Sequence, residues 1–283
     1  MPHTKTESLD SAPRFEYKLS VITVNLNNAE GLARTIKSVV NQTFSDIQFI
    51  VIDGASSDGS VEIIKENAKD IDFYLSEKDS GVYNAMNKGI IQAKGEYLIF
   101  MNSGDSFIDN NIVQKVFDEN SSADIIYGYI DSPKGIGTAP ENLDLSFLAR
   151  NSIHHQATFI KKVLFDKIGL YEERNRFESD WEFFIRAIAI EKCSTYNFKN
   201  VVTFFEMDGL SSNPKLSEIK YKEKKEVIRR VLPELADWYS DYIDLLHEKR
   251  ALEAKLLSVF HKMADKLSTS SAMRILKKTT KRN

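Results

Sequence analysis

The stretch Glu96-Tyr97-Leu98-Ile99-Phe100-Met101-Asn102-Ser103-Gly104-Asp105 decides the fold expected for this chain. Its apolar and aromatic part, Tyr97–Met101, has the length and unbroken hydrophobicity of a parallel strand covered on both faces. Ligands of open α/β sheets bind beyond the carboxyl ends of the strands, so Asp105 is predicted where a phosphate or metal would lie. The alternative is a simple turn into a helix that begins at Asn110 or Asn111.

Strand and helix patterns alternate on the amino-terminal side of this stretch. Runs of apolar and β-branched residues predict strands, and apolar residues at helical spacing predict the helices between them. The strands are predicted over Leu19–Asn25, Ile47–Asp53 and Ile71–Leu75, and two of the helices over Gly31–Val40 and Gly81–Ala93. This alternation predicts an α/β fold with a mostly parallel sheet flanked by helices on both faces.

The pattern is less regular beyond Asp105. Helices are predicted over Ile112–Phe117, Val163–Gly169 and Ser179–Ile190, and strands over Ala123–Ile130, Gln156–Ile160 and, as a pair or one bent strand, Ser194–Phe205. Asp131–Asn151 is rich in proline and glycine and has no period, which predicts a long loop. Loops of that length in compact domains are usually functional or mobile.

Composition narrows the class of protein. The 283 residues are 42% hydrophobic, enough for one large domain with an appendage. A net charge of −3 gives no global electrostatic argument for nucleic acid, so no nucleic-acid partner is predicted. The single cysteine, Cys193, excludes an internal disulfide and a Cys-based zinc cluster. No apolar run approaches a membrane span of roughly 18 residues, so a cytoplasmic protein is expected.

The character changes to a charged helix after Pro214. The expected domains are a flexible leader over 1–17, the α/β domain over 18–214 and a helical extension over 215–283. Residues at alternating four and three spacing give about three heptads of a coiled-coil seam, with Lys249 as its one break: Trp238, Tyr242, Leu245, Leu252, Leu256, Val259 and Met263. Two interpretations stay open, a homodimer through this helix and a helix that folds back on its own domain.

The last residues form a basic tail. From Lys266 onward six Lys and Arg residues occur without an acid, among a few apolar side chains. One hypothesis is that this tail holds the protein peripherally on the inner face of the cell membrane, each basic residue adding on the order of 1 kcal/mol. The alternative is a solvated, frayed terminus.

Two acids follow the second predicted strand. Asp53 ends that strand, and a carboxylate there can accept hydrogen bonds from a nucleobase or from ribose hydroxyls. The alternative for Asp53 is a turn residue before Gly54. Asp58 lies in Ser-Asp-Gly-Ser, which is typical of helix capping, and the cap is the favoured interpretation over ligand contact.

A longer motif connects these observations to a known family. Ser76-Glu-Lys-Asp-Ser-Gly-Val-Tyr-Asn-Ala-Met-Asn-Lys-Gly89 resembles the Ser-Glu-x-Asp-x-Gly-x-Tyr-Asp-Ala-Met-Asn-Lys-Gly segment of bacterial family 2 glycosyltransferases with the GT-A fold. The run Ser20–Asn25, the segment around Asp53 and the segment ending at Asp105 resemble the same family in the same order. Together these segments cover Leu19 to about Phe107, with weaker similarity to Ser212.

The resemblance implies a Rossmann-like GT-A domain and an inverting, metal-dependent hexosyltransferase that uses a nucleotide diphosphate sugar, with UDP-sugar as the favoured donor. Carried over by position, Thr23, Asn25 and Asp53 line the base and ribose. Asp79 and Asn87 border the nucleotide or the donor sugar.

The phosphate and metal contacts follow from the same resemblance. Lys88 lies near the phosphates, and Asp105 holds Mn²⁺ or Mg²⁺ on the diphosphate. One departure matters, because the family's Asp-x-Asp-Asp here is Asn102-Ser-Gly104-Asp105. Only the last acid remains, which predicts weak metal binding without donor.

The resemblance also implies a catalytic base in Phe177-Glu-Ser-Asp-Trp-Glu-Phe183. Inversion in one displacement needs a base to take the proton of the acceptor hydroxyl. Asp180 is the predicted base, with Glu178 as the other candidate on the acceptor side. His155 is expected to face the acceptor, against a structural role, and residues 207–211 resemble a loop that closes the pocket, against a plain turn.

The leading hypothesis is therefore a glycosyltransferase of bacterial surface polysaccharide biosynthesis that acts on a glycan or lipid-linked glycan. A nucleotide-sugar-binding protein without turnover is an alternative, prompted by the missing acids at Asn102 and Gly104. A nucleotidyltransferase is a third, although the chain lacks an early glycine-rich, basic triphosphate loop.

Overall fold

The computed structural model describes residues 15–206 and 216–269, with side chains described up to Met263. The strands are β1 Tyr17–Asn25, β2 Ile47–Asp53, β3 Phe73–Ser76, β4 Gly95–Phe100, β5 Ser106–Phe107, β6 Ile125–Asp131, β7 Thr158–Lys161 and β8 Thr195–Phe204. The α-helices are α1 Ala29–Val40, α2 Ser60–Glu66, α3 Val82–Gln92, α4 Ile112–Asp118, α5 Leu145–Arg150, α6 Lys162–Ile168, α7 Ser179–Phe184, α8 Ser217–Val231 and α9 Ala236–Thr269.

All these strands form one sheet in the order β3-β2-β1-β4-β7-β6-β8-β5. Strands β3, β2, β1 and β4 are parallel, as the alternating pattern predicts, because each is joined to the next by a helix. Side chains from both faces of β1 and β4 are buried, which explains why these strands are continuous apolar runs. Parallel register places Asn25 beside Asp53, and Asp53 beside Ser76.

The other half of the sheet is mixed. Strand β7 runs antiparallel to both β4 and β6, β5 runs antiparallel to β8, and β6 runs parallel to β8. The predicted α/β sheet with flanking helices and a carboxyl-terminal helical extension is confirmed, and its parallel character is strongest in the half from β1 to β4.

Three local predictions differ from the structure. The expected loop 131–151 contains helix α5, which begins where the side chain of Asp144 accepts a hydrogen bond from Phe147 N. The strand expected from Gln156 starts with a 3-10 turn, and β7 begins at Thr158. The prediction of one bent strand over 194–205 agrees with β8, which is a single strand with register shifts. The helix expected over 179–190, in contrast, changes to a π-helix at Ile185. These differences depend on tertiary packing, which a local pattern does not encode.

The chain divides into two compact units, 1–223 and 224–283. Tyr239 and Ile243 on α9 are buried, and Lys225 of α8 pairs with Asp244 of α9 at 2.5 Å within the second unit. Within 15–206 and 216–269, no helix is long and apolar enough to cross a membrane. The leader before residue 15, the predicted loop 207–211 and the side chains of the basic tail lie outside the described residues.

Candidate active site

A buried hydrogen-bond network surrounds Asp53 where β1, β2 and β3 end. Its Oδ1 accepts from Asn25 Nδ2 at 2.7 Å, and its Oδ2 accepts from Ser76 Oγ at 2.6 Å and Ser56 N at 3.0 Å. Ala55, with φ of 61°, turns the chain so that Ser56 N reaches back to the carboxylate. Burial alone would raise the pKa of Asp53, but these hydrogen bonds outweigh it and hold the pKa below its usual value.

Two polar atoms in this region have no hydrogen-bond partner among the described residues. They are Thr23 Oγ1 and Asn25 Oδ1, and both are buried. Buried polar atoms are almost always paired, so an unpaired pair of atoms at strand ends is a place where a polar ligand gains hydrogen bonds. Asp53, with three donors on two oxygens, also keeps capacity to accept another hydrogen bond.

Asp79 lies on the connection between β3 and α3, and Lys88 lies within α3. A Cβ atom added to Gly54 would lie 2.6 Å from Asp79 Oδ2, so Asp79 packs directly on the residue after Asp53. Lys88 Nζ pairs with Glu77 Oε1 at 2.8 Å. The structure therefore brings Asp79 to the Asp53 region and ties Lys88 to the same connection.

The side-chain amide of Asn87 is hydrogen-bonded to the segment before α7. Its Nδ2 donates to Tyr171 O at 2.9 Å and to Glu173 Oε1 at 3.0 Å, and its Oδ1 accepts from Tyr171 N at 2.9 Å. The amide therefore clamps helix α3 to the segment before α7. Both ends of the side chain are occupied, so Asn87 supports the site through this clamp.

Asp58 holds two helix starts. Its Oδ1 accepts from Ser60 N at 3.1 Å, at the first residue of α2, and its Oδ2 accepts from Ala29 N at 2.8 Å, at the first residue of α1. Carboxylates are favourable at helix amino termini because the unpaired N–H groups there carry partial positive charge.

Asp105 lies just before β5, and its carboxylate has a different environment. The side chain is buried, and its one backbone hydrogen bond, from Glu206 N to Oδ1, is long at 3.3 Å. Burial raises the pKa of Asp105 to about 7, although the charge of His155, Glu206 N and the Gln156 side chain all act to lower it. Thr35 Oγ1 fixes the backbone by donating to Asp105 O at 2.6 Å.

The turn before Asp105 explains why position 104 is a glycine where the family motif has an aspartate. Gly104 has φ of +107°, and a Cβ atom there would lie 2.7 Å from Glu206 Oε2. An L-residue is strained in this backbone conformation, and an aspartate would also bring a second negative charge to Glu206. Glu206 is itself paired with Arg34.

Asp180 is the centre of a second network, in the first turn of α7. Tyr83 OH donates to its Oδ1 at 3.0 Å, and His155 Nδ1 lies 2.9 Å from its Oδ2. Trp181 N donates to Oδ1 at 2.9 Å. The side chain keeps 17% of its surface exposed, so the carboxylate is positioned and still reachable.

Hydrogen bonds set the charge state of Asp180. Burial acts to raise its pKa, but the hydrogen bond and charge of His155 and the hydrogen bond from Tyr83 outweigh burial and hold the pKa below its usual value. Asn102 Nδ2 lies 3.3 Å from His155 Nε2, so both ring nitrogens of His155 have a polar partner, Asp180 on one side and Asn102 on the other.

These contacts place a buried, ionised carboxylate, a second buried carboxylate of raised pKa and a positioned carboxylate along the carboxyl ends of one sheet. The sequence profile described as "Glycosyl transferase family 2" matches residues 20–183, which is more than half of the chain. This chain belongs to glycosyl transferase family 2.

A curated relative agrees with the family assignment, and two solved structures share the fold. A PGL/p-HBAD biosynthesis glycosyltransferase of Mycobacterium bovis is 32% identical over 211 residues, which cover 71% of this chain and 80% of the relative. S. aureus TarS 1-349 in complex with UDP-GlcNAc has a TM-score of 0.63 and 17% identity, covering 80% of this chain and 69% of that chain.

The mannosyltransferase PcManGT from Pyrobaculum calidifontis, in complex with GDP-Man and Mn²⁺, has a TM-score of 0.56 and 13% identity over 92% of this chain and 84% of that chain. At these identities the two solved structures show that the family 2 chain shares their fold. This agrees with the GT-A fold expected from the sequence.

Several members of the site were not predicted from the sequence of this family 2 glycosyltransferase. Tyr83 stands in the recognised motif, but its bond to Asp180 joins residues 97 positions apart. Glu206 and Gln156 beside Asp105 were missed as well. Glu178, the other candidate base, is buried at the amino-terminal cap of α7. Together with burial and the charge of Asp180, its charge raises the pKa of Tyr83.

Proposed function

We propose that this family 2 glycosyltransferase transfers a sugar from a UDP-sugar to an acceptor hydroxyl with inversion, in the synthesis of a bacterial surface glycan. The observation that carries the proposal is the Asp180 carboxylate. It is ionised, held by Tyr83 and His155, and partly open to solvent. A base for direct displacement needs these three properties together.

Asp180 acts on the acceptor in this mechanism. Its carboxylate takes the proton from the acceptor hydroxyl as that oxygen attacks the anomeric carbon, and the bond to the diphosphate breaks on the opposite side. The pair of electrons leaves with the nucleoside diphosphate, and the proton stays on Asp180. Tyr83 and His155 keep the carboxylate in one orientation, so the attack geometry is fixed before the acceptor binds.

The Asp53 network binds the nucleoside. Asp53 accepts from a base N–H or a ribose hydroxyl, and the unpaired Thr23 Oγ1 and Asn25 Oδ1 supply two further polar contacts. Asp79 lies beside Gly54 on the same side, where the resemblance places the nucleotide or donor sugar. Lys88, which pairs with Glu77 just after β3, would contact the phosphates in this assignment.

A divalent cation fits the residues around Asp105. The described residues contain no group of three or more His, Cys, Asp or Glu side chains that could hold a metal by themselves. Asp105 is buried with few donors, and Asn102 Oδ1 is buried without a hydrogen-bond partner among the described residues. These two oxygens would hold Mn²⁺ or Mg²⁺, with the remaining ligands from phosphate and water. When bound, the cation would stabilise the charge on the leaving diphosphate.

The acceptor is proposed to be a glycan or a lipid-linked glycan, in a cytoplasmic protein that works at the inner face of the membrane. The relative named for PGL/p-HBAD biosynthesis supports a role in bacterial glycoconjugate synthesis. TarS with UDP-GlcNAc supports the choice of a UDP-sugar, and PcManGT with GDP-Man marks GDP as the competing donor class.

Thermal unfolding with a nucleotide panel tests the donor side. UDP, GDP, dTDP and CMP are each added with Mn²⁺, with Mg²⁺ and with chelator. A bound diphosphate at about 100 times its Kd stabilises the protein by roughly 2.7 kcal/mol. We expect a metal-dependent shift with UDP. A shift with GDP alone would replace the donor class, and no shift with any nucleotide would contradict the proposal.

Product analysis tests the chemistry. The anomeric configuration of the product, read by NMR from a UDP-sugar of known configuration, should be inverted. Retention would contradict a single displacement with Asp180 as base. Donor binding without any transfer to a panel of lipid-linked acceptors would favour the nucleotide-sugar-binding alternative, which the missing acids at Asn102 and Gly104 suggest.

A further inference from the structure

Helix α9 exposes an apolar seam that is interrupted once, at Lys249. Its members are exposed over between 54% and 66% of their surface, which is unusual for large apolar side chains: Trp238, Leu245, Leu252, Leu256, Val259 and Met263. Tyr242 lies among them, with its ring stacked on Trp238 at a centroid distance of 5.8 Å. The buried side of α9, with Tyr239 and Ile243, is a different face. We call the exposed set the α9 seam.

The α9 seam has the heptad order of a coiled coil. Its residues alternate at spacings of four and three, with Tyr242, Lys249, Leu256 and Met263 at a positions and Trp238, Leu245, Leu252 and Val259 at d positions. From Trp238 to Met263 the seam is roughly 38 Å long at 1.5 Å per residue. A seam of that length would form about eight layers of side-chain contacts with a second helix.

A row of charges follows one edge of the seam. Asp241, Glu248, Lys255 and Lys262 are spaced seven residues apart, and all four are exposed. They occupy the g position of successive heptads, which flanks the partner helix. The sign changes from negative to positive at the middle of the seam, so the row is complementary to its own reversed copy.

From this charge pattern we propose that α9 pairs with α9 of a second copy of this chain, antiparallel and about a two-fold axis. Glu248 then lies opposite Lys255 of the second copy, and Asp241 lies opposite Lys262. The two-fold axis repeats each pair, so four ion pairs line the interface. Leu245 packs against Leu256 in the layers between them.

The same residues disfavour a parallel pair. In a parallel coiled coil each g position faces the e position of the next heptad, which would place Glu248 opposite Glu253 of the second copy. Lys249 would also meet Lys249 at the core. In the antiparallel pair Lys249 lies beside Leu252, where its methylene stem can cover apolar surface. Its ammonium group is 3.9 Å from Glu253 Oε1 of its own helix.

The oligomeric state of the full-length protein tests the pairing. Sedimentation equilibrium should show a monomer–dimer equilibrium, and the variant with both Leu252→Glu and Leu256→Glu should be a monomer at the concentrations where the unsubstituted protein is a dimer. Leu257→Glu is the matched control, since Leu257 is as exposed as these residues but lies at a b position outside the seam. We expect Leu257→Glu to keep the dimer.

Charge reversal tests the orientation. Glu248→Lys and Lys255→Glu should each raise the dimer Kd on the order of tenfold at low salt, because each places like charges opposite one another at two sites. The double variant with both reversals should restore the original Kd, because the pairs form again with exchanged sign. A parallel dimer would instead be strengthened by Glu248→Lys, which would overturn the proposal.

Vesicle flotation separates this pairing from membrane binding. If the full-length protein stays monomeric at high concentration, the proposal is wrong. If it is monomeric and floats with anionic vesicles, and Leu257→Glu weakens flotation as much as the seam variant does, the apolar face binds lipid instead. A dimer that survives the seam variant would also overturn the proposal. Circular dichroism of each variant checks that α9 is still helical.

Discussion

Asp53 and Asp105 are buried carboxylates at the same edge of one sheet, and they differ in hydrogen bonding. Asp53 is 0% exposed and accepts three hydrogen bonds of 2.6 to 3.0 Å, and its pKa is lowered. Asp105 is 4% exposed with one backbone hydrogen bond of 3.3 Å, and burial raises its pKa to about 7. At Asp53 the hydrogen bonds outweigh burial, and at Asp105 burial outweighs them, so the two pKa values shift in opposite directions.

The difference shows what each site still needs. The protein supplies the donors that keep Asp53 ionised, so this acceptor is ready before any ligand arrives. At Asp105 the protein supplies too few donors to outweigh burial, and an external cation would favour the charged form. The proposed nucleoside contact and the proposed cation contact thus use the same residue type in two different environments.

Asp180 adds a third carboxylate to the comparison, one that is hydrogen-bonded and still partly exposed. Its substitution should have the largest effect on activity. Asp180→Asn should lower kcat by a factor on the order of 10² or more, because the amide cannot take the acceptor proton. The stabilisation by UDP should be unchanged, since the Asp53 network is untouched. Steady-state kinetics and thermal unfolding measure the two. Near-normal turnover would remove Asp180 from the mechanism.

The substitutions Asp53→Asn and Asp105→Asn compare the two buried carboxylates directly. Asp53→Asn should lower the free energy of unfolding by about 2 to 4 kcal/mol, because its new NH₂ group faces donors that then lack an acceptor. Asp105→Asn should change it by no more than about 1 kcal/mol in the presence of chelator, because a neutral amide resembles the protonated acid. Urea unfolding at neutral pH measures both.

Equal losses of unfolding free energy in these two variants would show that the two carboxylates do not differ in this way. Asp105→Asn should in addition make UDP binding insensitive to chelator. A chelator effect of the same size in the variant and in the unsubstituted protein would contradict the cation role of Asp105.

The pH dependence of stability should have opposite signs at the two residues. Asp53 has a lowered folded pKa, so its contribution is present above the unfolded value of about 3.9 and is lost as the pH falls through the folded pKa. Asp105 has a raised folded pKa of about 7, so the free energy of unfolding should fall as the pH rises from about 4 to about 7.

Urea unfolding of the unsubstituted protein and of Asp105→Asn, each with chelator between pH 4.5 and pH 8, tests this sign. The fall in stability should be smaller in Asp105→Asn. Parallel curves for the two proteins would show that Asp105 is ionised throughout the range.

Tyr83→Phe should have the smallest effect. It removes one of the hydrogen bonds to Asp180 and keeps the ring, so we expect kcat to fall by up to about tenfold with little change in KM for the donor. The acid limb of the kcat profile should move to higher pH, because Asp180 loses a donor that lowers its pKa. An unchanged profile with reduced stability would give Tyr83 a purely structural role.

The half of the sheet from β1 to β4 could be predicted from the sequence because its signals are local. Ile47–Asp53 is a strand with the predicted bounds, since an apolar run between polar turns is a sufficient signal for a covered parallel strand. Asp53 could be placed at a strand end for the same reason, and the register of β1 and β2 then brings Asn25 to it.

The other half depends on contacts between distant segments. Asn87 lies in the family motif, but the hydrogen bond of its amide to Tyr171, 84 positions away, is contained in no local pattern. Helix α5 was not predicted because it has only six residues and lies in a segment that contains proline and glycine. The charge states of Asp53 and Asp105 could not be predicted either, because the balance between burial and hydrogen bonds at each carboxylate is set by contacts that only folding brings.

The left-handed backbone at Gly104 has an evolutionary consequence. An aspartate at position 104 would have to adopt a backbone conformation that L-residues rarely adopt, and its Cβ would meet the end of the Glu206 side chain. The Glu206 carboxylate could shift to relieve that contact, which would disturb its pair with Arg34, but the backbone strain would stay. A change from glycine to aspartate is therefore disfavoured for as long as this turn is kept.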